Sequence, residues 1–225
     1  MISTLNDPEL EKLLENLHQM SDAQAALTND AFEKREQQIP IDAEGFYDDK
    51  LRGFLAEKMV ALDRDKALFC YLLCRSINAR RVVEAGTSYG VSALYLAAAV
   101  RDNNLPRGIV IDTEIEPGKV KIARENFRAV GLHDYIDLRE GDLRNILVDL
   151  IGPIDFLLID IWEVAQPALE LVSPHLRVGA IVACDNTEVD IAEYGDYFAY
   201  LNDPRNRFKT MTLPFKGGLE ISVKI

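Results

Sequence analysis

The 225-residue chain is short of cysteine, histidine, tryptophan and positive charge, and it has no long apolar run. Its three cysteines, Cys70, Cys74 and Cys184, are odd in number and lie in apolar surroundings. That argues against a disulfide framework. Cys70 and Cys74 have helical spacing but no second Cys or His pair to complete a zinc site, so buried free thiols are expected. With 25 Lys and Arg against 37 Asp and Glu, the net charge is −12. Such a balance disfavours a nucleic-acid partner or an anionic membrane surface. No apolar run approaches the roughly 20 residues of a membrane span, and no signal peptide opens the chain, so a cytoplasmic location is expected. There is no internal repeat and no low-complexity tract. The remaining composition is that of a globular protein, and the length suits one α/β domain with a helical extension.

Residues 81–92, Arg-Val-Val-Glu-Ala-Gly-Thr-Ser-Tyr-Gly-Val-Ser, organise the chain. Val82 and Val83 end a buried-strand run. Gly86 and Gly90 bracket a tight turn, and a strongly helix-forming segment starts at Val91. Strand, glycine loop and helix together present backbone N–H groups to a ligand. The segment matches G-x-S-x-G formally, which would make Ser88 the nucleophile of an α/β-hydrolase. That enzyme needs a histidine after its last strand, yet the histidines are His18, His133 and His175, with at least two strand-like runs still to come. The better reading starts from Glu84, an acid at the strand end that can accept from a cationic amino group or from loop amides. It suggests a nucleotide-type cofactor site without the full dinucleotide fingerprint.

Asp7-Pro8 is a helix start, and Leu10, Leu13, Leu14, Leu17 and Met20 follow helical spacing. Residues 30–50 are polar and broken by Pro40 and Gly45, which reads as a linker or lid. Helices are predicted over Asp49–Leu62 and Asp65–Ser76. From Arg81 onward, strand-like runs at 81–85, 108–113, 136–140, 154–160 and 179–184 alternate with helical segments near 91–101, 117–130, 142–150 and 164–175. This alternation predicts a mostly parallel sheet with helices on both faces. Two final runs, 207–213 and 219–224, are joined too closely for a crossover and are predicted to pair antiparallel. The expected division is a helical extension or lid over 1–60 and a Rossmann-like, seven-stranded α/β domain over 61–225.

Glu84 through Ser92 resembles motif I of the class I S-adenosylmethionine-dependent methyltransferases. Its G-T-S-x-G-x-S form is close to the cation-dependent O-methyltransferases of the catechol and caffeoyl-CoA type. The resemblance covers the chain from about residue 60 onward. It implies S-adenosylmethionine as cofactor, held by Glu84, Gly86, Ser88 and Ser92, with Leu62 in the turn that passes the methionine end. It further implies that Glu114 takes the ribose hydroxyls and that Ile115 packs on the adenine. Asp112 and Glu116 compete for the ribose role. Asp142 either accepts from the adenine amino group or caps the following helix.

Asp160, Asp185 and Asn186 come from neighbouring strand ends and offer hard oxygen donors suited to Mg²⁺ or a similar divalent cation. The same triple occurs in the family, although Asp-Asn at a strand end also makes turns. Asp160 is therefore expected to be catalytic, cofactor-facing and metal-binding at once. Where the family continues Asp-x-x-Lys, with lysine as general base, this chain has Asp160-Ile161-Trp162-Glu163. A carboxylate is a poorer base for a phenol-like hydroxyl. Glu163 is thus a weaker base, an extra ligand, a group recognising a cationic substrate, or none of these. Trp162, Tyr194, Tyr197 and Phe215 belong either to a substrate cleft or to the core. The expectation is a metal-assisted O-methyltransferase acting on a small catechol-like or vicinal-diol molecule, with a possible homodimer through the N-terminal helices. The rival is a cofactor-binding scaffold that has lost its base.

Overall fold

A computed structural model describes residues 4–39, 48–161, 164–189 and 194–225. In chain order the elements are α1 (Pro8–Glu36), α2 (Asp49–Ala56), α3 (Arg64–Ser76), β1 (Arg81–Ala85), α4 (Val91–Asn103), β2 (Ile109–Glu114), α5 (Pro117–Ala129), β3 (Ile136–Glu140), α6 (Leu143–Ile146), β4 (Ile154–Ile159), α7 (Ala165–Val172), β5 (Leu176–Asp185), α8 (Gly195–Asn202), β6 (Phe208–Leu213) and β7 (Leu219–Lys224). The seven strands form one sheet in the order β3-β2-β1-β4-β5-β7-β6. All neighbours are parallel except those involving β7, which runs antiparallel to both β5 and β6.

The strands follow from runs of Val, Ile, Leu and Phe that are buried on both faces. Every residue of β4 is buried, as covered parallel strands require. Helices α1, α3 and α4 lie on one face. Residues Val91–Val100 of α4 are buried all round, because α4 sits between the sheet and the two outer helices. Leu10, Leu14 and Leu17 join that same core, so the first part of the α1 apolar stripe is covered by its own chain, while Met20 stays exposed. The opposite face is closed by α7 and α8, with Leu169, Val172, Tyr197 and Leu201 packed on β4 and β5.

Three expectations change. Helix α1 runs to Glu36, so residues 30–36 of the expected linker are helical, while 40–47 lie outside the described residues. Helix α2 ends at Ala56 rather than near Leu62, and α6 is a single turn rather than a helix reaching 150. Helix α8 has no counterpart in the sequence reading. The order reverses beside β1, whose two neighbours are β2 and β4, and this switch point opens the crevice in which open α/β sheets bind ligands.

Candidate functional site

The carboxyl ends of β1 to β4 open into one cavity of about 600 Å³, a size that suits a nucleoside-type ligand. Its floor is the turn after β1. Gly86 has φ +102, and a Cβ there would stand 2.4 Å from the backbone carbonyl oxygen of Asp160. Gly90 has φ +86, and a Cβ there would meet the Phe127 ring at 2.4 Å. The turn is pinned to its neighbours: Thr87 N–H donates to the Thr113 carbonyl at 3.0 Å, and Asp160 N–H donates to the Ala85 carbonyl at 2.9 Å. Asp112 braces the turn from below, accepting from the Thr87 hydroxyl and from the Thr113 amide. Burial pushes its carboxyl up to about 7.

Of the three acids at the end of β2, Glu114 and Glu116 line the cavity, whereas Asp112 is wholly buried under the turn. The Glu114 carboxylate is held from three sides, accepting from the amides of Ser88 (2.8 Å), Ile115 (2.8 Å) and Glu116 (2.9 Å). An ionised carboxylate has about four acceptor positions, so these bonds fix its orientation and leave capacity for a ligand hydroxyl. Ile115 is 56% exposed on the cavity wall. Glu84 is fully buried beside Ser92 and Asp112, and among the described residues neither of its carboxyl oxygens makes a hydrogen bond of good geometry, nor does the Ser88 hydroxyl. Burial raises the Glu84 carboxyl well above its ordinary range, and the charge of Asp112 adds to this. Ser92 lies buried in the first turn of α4. A buried carboxyl beside a glycine turn fits the cationic amino group of S-adenosylmethionine, and Glu114 fits its ribose.

Asp142 lines the cavity but is engaged elsewhere. It caps α6 by accepting from the Arg144 amide at 2.9 Å and pairs with the Arg144 guanidinium at 2.5 Å. Arg144 holds its carboxyl below the usual range. Leu62 is buried and lines a second cavity, of about 360 Å³, rather than the first. The hydrolase arrangement is missing, since no histidine approaches the Ser88 hydroxyl. His133 and His175 precede β3 and β5, at the far ends of the strands, and His18 lies on α1 against the Tyr95 hydroxyl.

Asp160 directly follows β4 at the cavity wall, and Asp185 ends the neighbouring strand β5. Burial raises both carboxyls above their ordinary range. The charge of Asp185 adds to the rise at Asp160, and Lys66 opposes the rise at Asp185. The buried Tyr194 hydroxyl donates to the Asp185 carbonyl at 3.0 Å and steadies the end of β5. Asn186 has φ +60, and its Oδ1 faces Gly217, where a Cβ would stand 2.7 Å away. The Lys66 ammonium stands 2.5 Å from Asp185 Oδ1 and 3.8 Å from Asp63. Lys66 is only 1% exposed. Among the described residues no three His, Cys, Asp or Glu side chains cluster as a metal centre, so a site here would depend on Asp160, Asp185 and the Asn186 amide. With a cation already on Asp185, the donor set as arranged does not fit a divalent ion.

Glu163 and Trp162 lie outside the described residues. Tyr194 and Tyr197 belong to the core, while Phe215 packs on Phe69 at the wall of the second cavity. Sequence reading missed Lys66, although its signal is legible. Lys66, Cys70 and Cys74 fall at i, i+4 and i+8, which sets a lysine on the apolar stripe of α3. It also missed Arg52, Leu55 and Ala56 of α2, which cover the cavity from above, and Lys119 opposite Glu114.

Fold and cavity together define a Rossmann-like α/β protein built around a nucleoside-type ligand. Comparison with known proteins narrows this class. Residues 83–187 match the model of a methyltransferase domain. A catechol O-methyltransferase from Mycobacterium tuberculosis is 30% identical over 166 residues, covering 67% of this chain and 74% of that protein. Another, from Niastella koreensis, is 29% identical over 71% of this chain and 75% of that protein. The fold matches that of an O-methyltransferase from Streptomyces achromogenes involved in tomaymycin synthesis, solved with S-adenosylmethionine (TM-score 0.67, 20% identity, 92% of this chain and 97% of that one). The chain belongs to the S-adenosylmethionine-dependent O-methyltransferases of the catechol and caffeoyl-CoA type.

Proposed function

We propose that this enzyme transfers a methyl group from S-adenosylmethionine to a hydroxyl of a small catechol-like or vicinal-diol acceptor. The observation that supports the cofactor half is the Glu114 carboxylate on the cavity wall, with a second, buried acid, Glu84, at the strand end that leads into the glycine turn. Among the described residues Glu84 is buried with neither oxygen in a well-formed hydrogen bond, and Glu114 is oriented by three amides on the cavity wall. The first suits an ammonium and the second a ribose. The names of the two catechol enzymes support the acceptor half. Bound here, S-adenosylmethionine supplies an electrophilic methyl on a sulfonium. The chain's own part is to orient and to exclude water. The turn around Gly86 and Ser88 lines one side, α2 lines another, and Asp160 lies on the same cavity wall. Much of the acceleration then comes from positioning. Loss of the acceptor proton falls to Asp160 or Glu163, because Glu163 replaces the family lysine.

The test is incubation with methyl-labelled S-adenosylmethionine and a panel of catechols, single phenols and aliphatic diols, read by mass spectrometry. The expected result is label in a monomethylated product with one S-adenosylhomocysteine formed per methyl. Cofactor binding with no product from any hydroxyl acceptor would replace this reading with the scaffold.

A further inference from the structure

We infer that the Lys66 ammonium is the resident cation of this site, standing beside Asp160 and Asp185 where a divalent metal would otherwise be held. The inference rests on the methyltransferase reading for its purpose but not for its test. Lys66 comes from α3, 119 residues before its partner Asp185, and reaches the end of β5 from beneath. A lysine is almost never fully buried unless paired. Here the pairing is tight, with Asp185 at 2.5 Å and Asp63 at 3.8 Å, and the Lys66 charge also opposes the rise of the Asp160 carboxyl.

Geometry sets the competition. A metal ion needs an oxygen at about 2.0–2.6 Å. The ammonium already stands at that range from Asp185 Oδ1, so a divalent ion on the same oxygen would lie in direct contact with a fixed positive charge. Binding a metal would require expelling Lys66 from a stripe it shares with the buried Cys70 and Cys74. Lys66 thus already supplies a positive charge to Asp185 and Asp63 at the place a divalent ion would occupy.

The direct test is calorimetric titration of Mn²⁺ into wild-type protein, with and without saturating S-adenosylhomocysteine, beside Lys66→Met and Lys66→Met/Asp185→Asn. Wild type should show no saturable Mn²⁺ site tighter than about 1 mM. Lys66→Met should gain a one-to-one site at least about tenfold tighter, and the double variant should lose it. A one-to-one wild-type site tighter than about 1 mM would overturn the inference. So would a folded Lys66→Met that gains nothing, since something other than Lys66 would then keep the metal out. If Lys66→Met does not fold, the wild-type titration decides alone. Absence of S-adenosylhomocysteine heat in wild type would refute the methyltransferase reading while leaving the Mn²⁺ result to judge Lys66.

Discussion

At the scale of single residues, the site is built from acids kept in unlike surroundings. Glu84 and Asp112 are both buried, and both titrate above the ordinary carboxylate range. For Asp112 the folded state keeps a proton up to about 7, whereas the unfolded chain loses it near 4. Between those values the folded state binds more protons, so stability falls as pH rises. Thermal unfolding of the cofactor-free protein should therefore show a higher midpoint at pH 5 than at pH 7.5, and Asp112→Asn should flatten that slope. The cofactor's ammonium favours ionised Glu84. Its binding should release protons and tighten with rising pH, which calorimetry in buffers of different ionisation enthalpy would reveal. A flat stability profile together with no proton release would remove the buried-acid account.

Residue roles were legible where one side chain decides the chemistry. The end of β2 illustrates this: three acids stand within five positions, and distance along the strand separates Asp112, buried beneath the turn, from Glu114 on the cavity wall. Asp142 was undecided between adenine and cap, and it is engaged by α6 and Arg144. The α3 stripe signals that Lys66 is buried, but its partner Asp185 is 119 residues away, a distance that no local pattern spans.

At the scale of elements, the strands and the glycine turn were readable because their signals are local: apolar runs, and glycines where φ is positive. The misses have tertiary causes. Residues 30–36 are polar, yet they are helix formers with Lys34 and Asp30 paired at i, i+4, so polarity was mistaken for a linker. Helix α8 carries Tyr197, Phe198 and Tyr200, which favour helix weakly, and packing on the sheet holds it. Conversely, 147–150 leaves the helix so that Leu147 and Leu150 can enter the core. The turn at Gly86 yields the element-scale prediction. Gly86→Ala would drive a Cβ to 2.4 Å from the Asp160 carbonyl. It should cost about 1–3 kcal/mol of stability and abolish cofactor binding, read by thermal unfolding and calorimetry. Wild-type behaviour in both would mean that the turn relaxes freely and does not shape the cavity.

At the scale of the whole molecule, sheet order matters more than any one element. The reversal beside β1 brings strand ends separated by tens of residues to one crevice. The alternation of strands and helices implied that crevice before any contact was known. The packing of α1 on its own chain and the cover of α2 over the cavity could not be inferred, because they depend on how helices close on a sheet already formed. The central claim is that this crevice is an S-adenosylmethionine site whose ribose is held by Glu114. It is tested most directly by calorimetric titration of S-adenosylmethionine into wild type and Glu114→Ala side by side. The account predicts one-to-one binding in wild type, weakened in the variant by about 1.5–3 kcal/mol, or roughly 10- to 150-fold. No binding by folded wild type, or equal binding by both proteins, would contradict it.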